Sequence, residues 1–195
     1  MIKLPLLTPL KHFLSLVPST SQDAASGLYQ RIVAQARLPT FYLDFHISDT
    51  VRGRFEMMCL HLFIVLYRLK ATKVYEKKKS ITLSQHLCDL AVEDFDHSLR
   101  DLKITDSTVA TSYKKAVEGF YGRLAAYDLA IEDDDPRHLK TAIYRNIYGE
   151  NTSIAPEIVD GLEIYVRDCL ALLATQEINN LTFEESIESD EYHTA

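Results

Sequence analysis

The periodicity of the chain predicts an all-α fold, a single-domain bundle of about six helices packed around one buried helix. Three observations carry that expectation. Apolar residues recur at three- and four-residue spacing through most of the chain. Sustained two-residue alternation and Asn-Gly or Asp-Gly hairpin signals are missing. One stretch, Met57–Tyr67, is apolar on nearly every side, as in a helix surrounded by others.

A first helix is expected over about Ser19–Arg37 and stops at the Leu38-Pro39 step, because a residue before proline is pushed out of the helical region. "PTFYLDFHIS" then reads as an aromatic connector. The second helix starts near Asp49 or Thr50, either of which can accept from the open N–H groups of a first turn. Phe55, Met58, Leu62, Leu66 and Leu69 form one stripe, and Met57, Leu60, Ile64 and Val65 fill the other sides, so this helix is the expected hub.

A third helix, about Leu83–Leu102, sets Leu83, Leu87, Ala91, Phe95, Leu99 and Leu102 opposite a charged face of Asp89, Glu93, Asp96 and Arg100. Asp96 and Arg100 have the four-residue spacing of a surface ion pair. The fourth, about Ser107–Ile131, repeats Val109, Tyr113, Val117, Phe120, Leu124, Tyr127 and Ile131. Gly119 and Gly122 would let a neighbouring backbone approach it, at about 1 kcal/mol each in helix propensity. Asp135 before Pro136, and Gly149 beyond the last turn, bracket a fifth helix. A sixth, about Pro156–Thr175, carries Ile158, Leu162, Tyr165, Val166, Cys169 and Leu173 inward. The chain thus divides into an apolar, basic arm at 1–18, a helical domain at 19–178 and a loose acidic tail at 179–195, with no internal repeat.

With 195 residues, 47% hydrophobic and 25% charged, the chain has the material for one core. A net charge of −7 argues against specific nucleic-acid recognition, which draws on a basic face. Cys59, Cys88 and Cys169 are odd in number and scattered, which suggests buried free thiols. Met57–Tyr67 is too short to cross a bilayer, which takes about 20 apolar residues, and His61 interrupts it. The start of the chain, "MIKLPLLTPLKHFLSLVPST", has no acid but is broken by Pro5 and Pro9, unlike a signal peptide. It reads either as an arm packed on the domain or as a segment resting on an anionic membrane surface.

Catalytic patterns are tested by spacing. The six glycines never cluster into a phosphate loop. A di-iron bundle needs paired Glu-x-x-His motifs, and the chain offers only Asp94 with His97. Glu132–Asp135 suits a helix N-terminus better than magnesium. Cys59 and His61 point apart on a helix, and His61 reads as a hydrogen-bonded core histidine. The expectation is therefore no catalytic residue, no metal and no cofactor. Two surface features remain. Arg68, Lys70, Lys73, Lys77, Lys78 and Lys79 gather in an otherwise acidic chain, either as a solvated helix end or as a contact for lipid headgroups or ribosomal RNA. Tyr121 and Arg123 fall off the main apolar stripe of the fourth helix, as packing residues or as a binding spot.

Four blocks carry a resemblance: "FYLDFHISDTVRGRFEMMCLHLFIVLYRL", "LSQHLCDLAVEDFDHSLRDLKITDSTV", "KKAVEGFYGRLAAYDLA" and "LKTAIYRNIYG". In that order they resemble the ubiquinol–cytochrome c chaperone family, assembly factors of respiratory complex III. The resemblance spans about Phe41–Gly149 and extends weakly to both ends. It rests on a D-T-x-x-G-R-F-like helix start, a D-x-D-x-x-L-R-like turn and an F-Y-G-R-L-x-A-Y-like segment. It implies a non-enzymatic helical chaperone whose mitochondrial relatives bind newly made cytochrome b and associate with the ribosome. The client would be cytochrome b or another complex III subunit. The matching positions are Asp49, Thr50, Gly53, Arg54 and Phe55; Asp94, Asp96, Leu99 and Arg100; Tyr121, Gly122, Arg123 and Tyr127; and Arg145 and Asn146. Asp49 would cap the helix, Gly53 would allow close approach, and Arg54 would reach Asp94 or Asp96, either to fix the bundle or to line a groove. The missing transit-peptide composition points to a bacterial, cytoplasmic protein at the inner membrane, or to the matrix in a eukaryote. The alternative function is a membrane-surface adaptor using the basic stretch and the apolar arm.

Overall fold

Helices follow one another without a strand among the described residues, which in this computed structural model are 19–101, 106–135, 137–149 and 153–183. They are α1 (Ser19–Ala36), α2 (Pro39–Leu43), α3 (Val51–Lys70), α4 (Lys77–Asp101), α5 (Asp106–Glu132), α6 (Arg137–Ile143) and α7 (Pro156–Thr175). A 3-10 turn at Val74–Glu76 leads into α4, and a π turn at Tyr144–Tyr148 extends α6. Six substantial helices plus the five-residue α2 make the expected all-α bundle. The arm at 1–18, Pro136 and residues 184–195 lie outside the described residues. Residues 179–183, assigned to the tail by composition, instead pack on the bundle through Leu181 and Phe183.

The central helix is α3. Twelve of its twenty residues are buried, including an unbroken run from Glu56 to Val65, and it touches α1, α4, α5 and α7. Each fully buried Leu or Ile there contributes about 2 kcal/mol by leaving water. His61 sits in this run, completely buried. Its Nδ1 donates to the Met57 carbonyl at 2.8 Å, and its Nε2 accepts from the Tyr165 hydroxyl at 2.7 Å. Phe41, Tyr165 and Phe183 pack their rings around it. Burial pushes the imidazole down to about 4, so it is neutral at physiological pH. Cys59 and Cys169 are buried and Cys88 partly so, all as free thiols.

Two elements differ from expectation. Pro39 ends one helix but also opens another, α2, where its missing N–H costs nothing at the first turn. Phe41 from α2 then reaches the core, fully buried. Helix α4 begins at Lys77, two turns before Leu83. Those turns are held by polar contacts: the buried Ser80 hydroxyl donates to the Leu69 carbonyl, and Lys77 Nζ donates to the Lys70 carbonyl at 2.7 Å.

Candidate functional site

Thr50, in extended conformation, is the N-cap of α3, and its Oγ1 accepts from the Gly53 N–H at 3.1 Å. A Cβ on Gly53 would stand 1.9 Å from the Ser48 carbonyl oxygen, so this turn closes only over glycine. Asp49 does no capping. It takes the Arg54 guanidinium in a two-pronged pair at 2.6 and 3.1 Å, which holds its carboxyl below the usual range. The expected reach of Arg54 to Asp94 or Asp96 is therefore not made. Each of those acids has a nearer donor: Tyr29 of α1 donates to Asp94 at 3.1 Å, and Arg100, one turn along α4, holds Asp96 at 2.7 and 3.1 Å.

The inter-helix ion pair forms elsewhere, through Glu56, which belongs to none of the motifs. Glu56 is completely buried in α3. Arg123 of α5 grips its carboxylate through Nε and Nη2, and Arg52 Nε stands 3.8 Å from the same group. Arg123 also donates from Nη1 to the Gly119 carbonyl at 2.9 Å and lies over the Phe55 ring at 5.1 Å. A carboxylate buried without a partner would cost several kcal/mol, so this fork fixes the α3–α5 register. A signal was present: one acid inside a helix apolar all round must be paired. Its partner lies 67 residues away, beyond the reach of any spacing rule.

The two α5 glycines admit no neighbouring backbone. A Cβ at Gly119 would stand 2.9 Å from Arg123 Nη1, so this glycine leaves space for the guanidinium, and nothing lies within 4 Å of one at Gly122. Tyr127 is fully buried against Phe63, and burial raises its phenol pKa. The Asn146 amide, on the π turn, lies near the Tyr127 hydroxyl, but the geometry closes no hydrogen bond between them. That turn ends at Gly149, whose φ of 64° suits glycine, with Arg52 tucked against it. Arg145 points outward. Tyr121 packs beside Phe120 at 5.0 Å, and burial pushes its phenol up to about 12.

Between α1, α3, α4 and α5 lies a groove of about 700 Å³. Val33, Phe55, Met58, Phe95 and Leu99 supply apolar lining, with the Phe55 and Phe95 rings 5.0 Å apart. Arg37, Arg52, Arg54, Lys115 and Arg123 supply five cations against two acids in the lining, Glu56 and Asp94; Arg123 and Arg52 face Glu56, and Arg54 is paired with Asp49 at the edge. The groove is thus apolar in its lining and cationic in a chain of net charge −7. Of the family-motif positions, Arg54, Phe55, Asp94, Leu99 and Arg123 line it, and Asp49, Thr50 and Gly53 shape its edge. Asp96, Arg100, Tyr121, Gly122, Tyr127, Arg145 and Asn146 stand outside the lining.

The basic stretch lies at the other end of α3 and is divided. Arg68 donates to the Leu173 and Gln176 carbonyls at 2.7 Å each, and Lys70 pairs with Asp128 and Glu132. Lys73, Lys78 and Lys79 are exposed. Asp135 accepts from the Arg137 N–H at 3.0 Å, in the capping role expected of that acidic run. Among the described residues no three His, Cys, Asp or Glu are grouped to hold a metal ion, and no helix is long and apolar enough to cross a membrane.

Comparison with known proteins agrees with the motifs. The family model described as "Ubiquinol-cytochrome C chaperone" matches residues 43–186. The crystal structure of the Cbp3 homolog from Brucella abortus superposes with a TM-score of 0.74 at 32% sequence identity, covering 88% of this chain and 95% of that one. No curated protein matches the chain. On the family match and on the shared fold, the chain belongs to the ubiquinol–cytochrome C chaperone family.

Proposed function

We propose that this chain is a non-enzymatic assembly chaperone for ubiquinol–cytochrome c reductase, working as a peripheral protein at the inner-membrane surface. Its client is cytochrome b, nascent or newly inserted, and an apolar client segment lies in the groove between α1, α3, α4 and α5. The observation that carries this reading is the convergence of Arg54, Phe55, Asp94, Leu99 and Arg123, from three separate sequence blocks, on that one groove.

The groove's chemistry supports holding without reacting. Phe55, Met58, Phe95 and Leu99 remove apolar client surface from water, at about 25 cal/mol per Å² buried. Arg37, Arg52 and Lys115 meet polar or acidic groups at the segment's edges, as in helix-in-groove recognition. Buried charge and a glycine-only turn keep these walls in place before any client arrives, which lowers the ordering cost of binding.

Deletion of the gene tests the reading. The expected result is selective loss of complex III and cytochrome b, restored by the wild-type gene, with cytochrome b recovered in affinity pull-downs from membranes. Normal complex III and cytochrome b in the deletion strain would refute it.

A further inference from the structure

The corner where α3 hands over to α4 carries exposed apolar and basic side chains side by side. Val74 is 91% exposed and Ile81 60% exposed, and they bracket the lysine run. Lys73 and Lys78 are exposed, with no carboxylate partner among the described residues. Lys77 and Lys79 donate to neutral oxygens, the Lys70 carbonyl and the Asn179 side chain, so their charges are not cancelled either. The one acid in this turn is Glu76. Four positive charges against one, within seven residues, stand out in a chain of net charge −7.

We propose that Val74 and Ile81, with Lys73 and Lys78 beside them, are the face by which this protein docks on an anionic lipid bilayer. Lysines gain from anionic headgroups, and exposed aliphatic side chains gain by entering the boundary between headgroups and acyl chains. A nucleic-acid backbone would use the lysines equally well but would leave Val74 and Ile81 in water, since aliphatic groups neither pair with phosphates nor stack on bases. The corner and the groove sit at opposite ends of α3, whose 20 residues span about 30 Å at 1.5 Å per residue. Docking by the corner therefore leaves the groove open to a client. This inference deepens the membrane-surface part of the reading above and is independent of the client's identity.

The test is co-sedimentation of the full chain with phosphatidylcholine vesicles, with and without phosphatidylglycerol. Binding is expected only with phosphatidylglycerol and is expected to weaken with salt. Lys73→Gln with Lys78→Gln should weaken the partition by roughly 30-fold. Val74→Ser with Ile81→Ser should weaken it by roughly tenfold. Thermal melting should not move in either pair, because all four side chains face water. Vesicle binding unchanged in either pair, as when residues 1–18 carry it, overturns the proposal. So does a lysine pair that abolishes ribosome co-sedimentation while vesicle binding persists. Failure here with complex III loss intact in the deletion strain would leave the chaperone reading standing.

Discussion

Glu56 and His61 stand five residues apart on α3, both completely buried, and their burial is resolved in opposite ways. At the groove, Glu56 faces a cation on each side, Arg123 from α5 and Arg52 from its own helix. In the core, His61 is neutral, its two nitrogens matched to one carbonyl and one hydroxyl and its ring enclosed by three aromatics. The N-terminal part of the central helix is therefore positioned by charge and its middle by neutral packing. Paired charge lines the groove, and neutral hydrogen bonds close the core.

Substitutions at each site separate the two. Arg123→Met strands the Glu56 carboxylate and should cost about 3 kcal/mol, reduced somewhat by Arg52. That corresponds to roughly 6–12 °C in melting temperature for a chain of this size. The double variant Arg123→Met with Glu56→Leu should recover most of the loss; equal damage in single and double variants would show that the fork is not what matters. Gly53→Ala, driven into the Ser48 carbonyl, should cost about 2–3 kcal/mol and distort the Thr50 cap, again read by thermal melting.

At His61 the discriminating variable is pH. The His61 imidazole is lowered to about 4 when folded and titrates near 6.5 when unfolded, so the unfolded chain takes up the proton first. Stability from this group is complete above about pH 6.5 and falls as pH drops toward 4, by about 2 kcal/mol at pH 5. His61→Gln should flatten this slope in melts recorded from pH 7 to about 5; an unchanged slope would assign the acid sensitivity elsewhere. The smallest effect on stability is expected from Arg54→Ala, which removes an exposed pair with Asp49. Its melting temperature should stay at the wild-type value while cytochrome b recovery in pull-downs falls, because Arg54 lines the groove.

The fold was largely legible because its helices announce themselves by apolar periodicity and by Pro, Asp and Gly at their ends. The exceptions mark where other forces act. The first two turns of α4 carry lysines and a buried serine rather than a stripe, so their helicity rests on contacts with α3 that no local pattern encodes. Helix α2 is hidden in the sequence because the Leu38-Pro39 step signals the end of one helix and the start of the next with the same residue. At the site, local chemistry was readable and pairing was not. The four-residue spacing of Asp96 and Arg100 carries their ion pair, which forms. The partners of Arg54 and Arg123 depended on which carboxylates the fold brings within reach, and Glu56, the acid most in need of a cation, stood unnoticed among apolar neighbours.

The most direct measurement is site-specific photocrosslinking in cells, with a photoreactive phenylalanine analogue at two positions of similar exposure. Val51, 58% exposed, lines the groove, whereas Ile164, 53% exposed, lies on α7 away from it. Cytochrome b captured from Val51 and not from Ile164 is the expected result. Equal capture from both, or capture from Ile164 alone, would contradict the assignment of the groove as the client's seat.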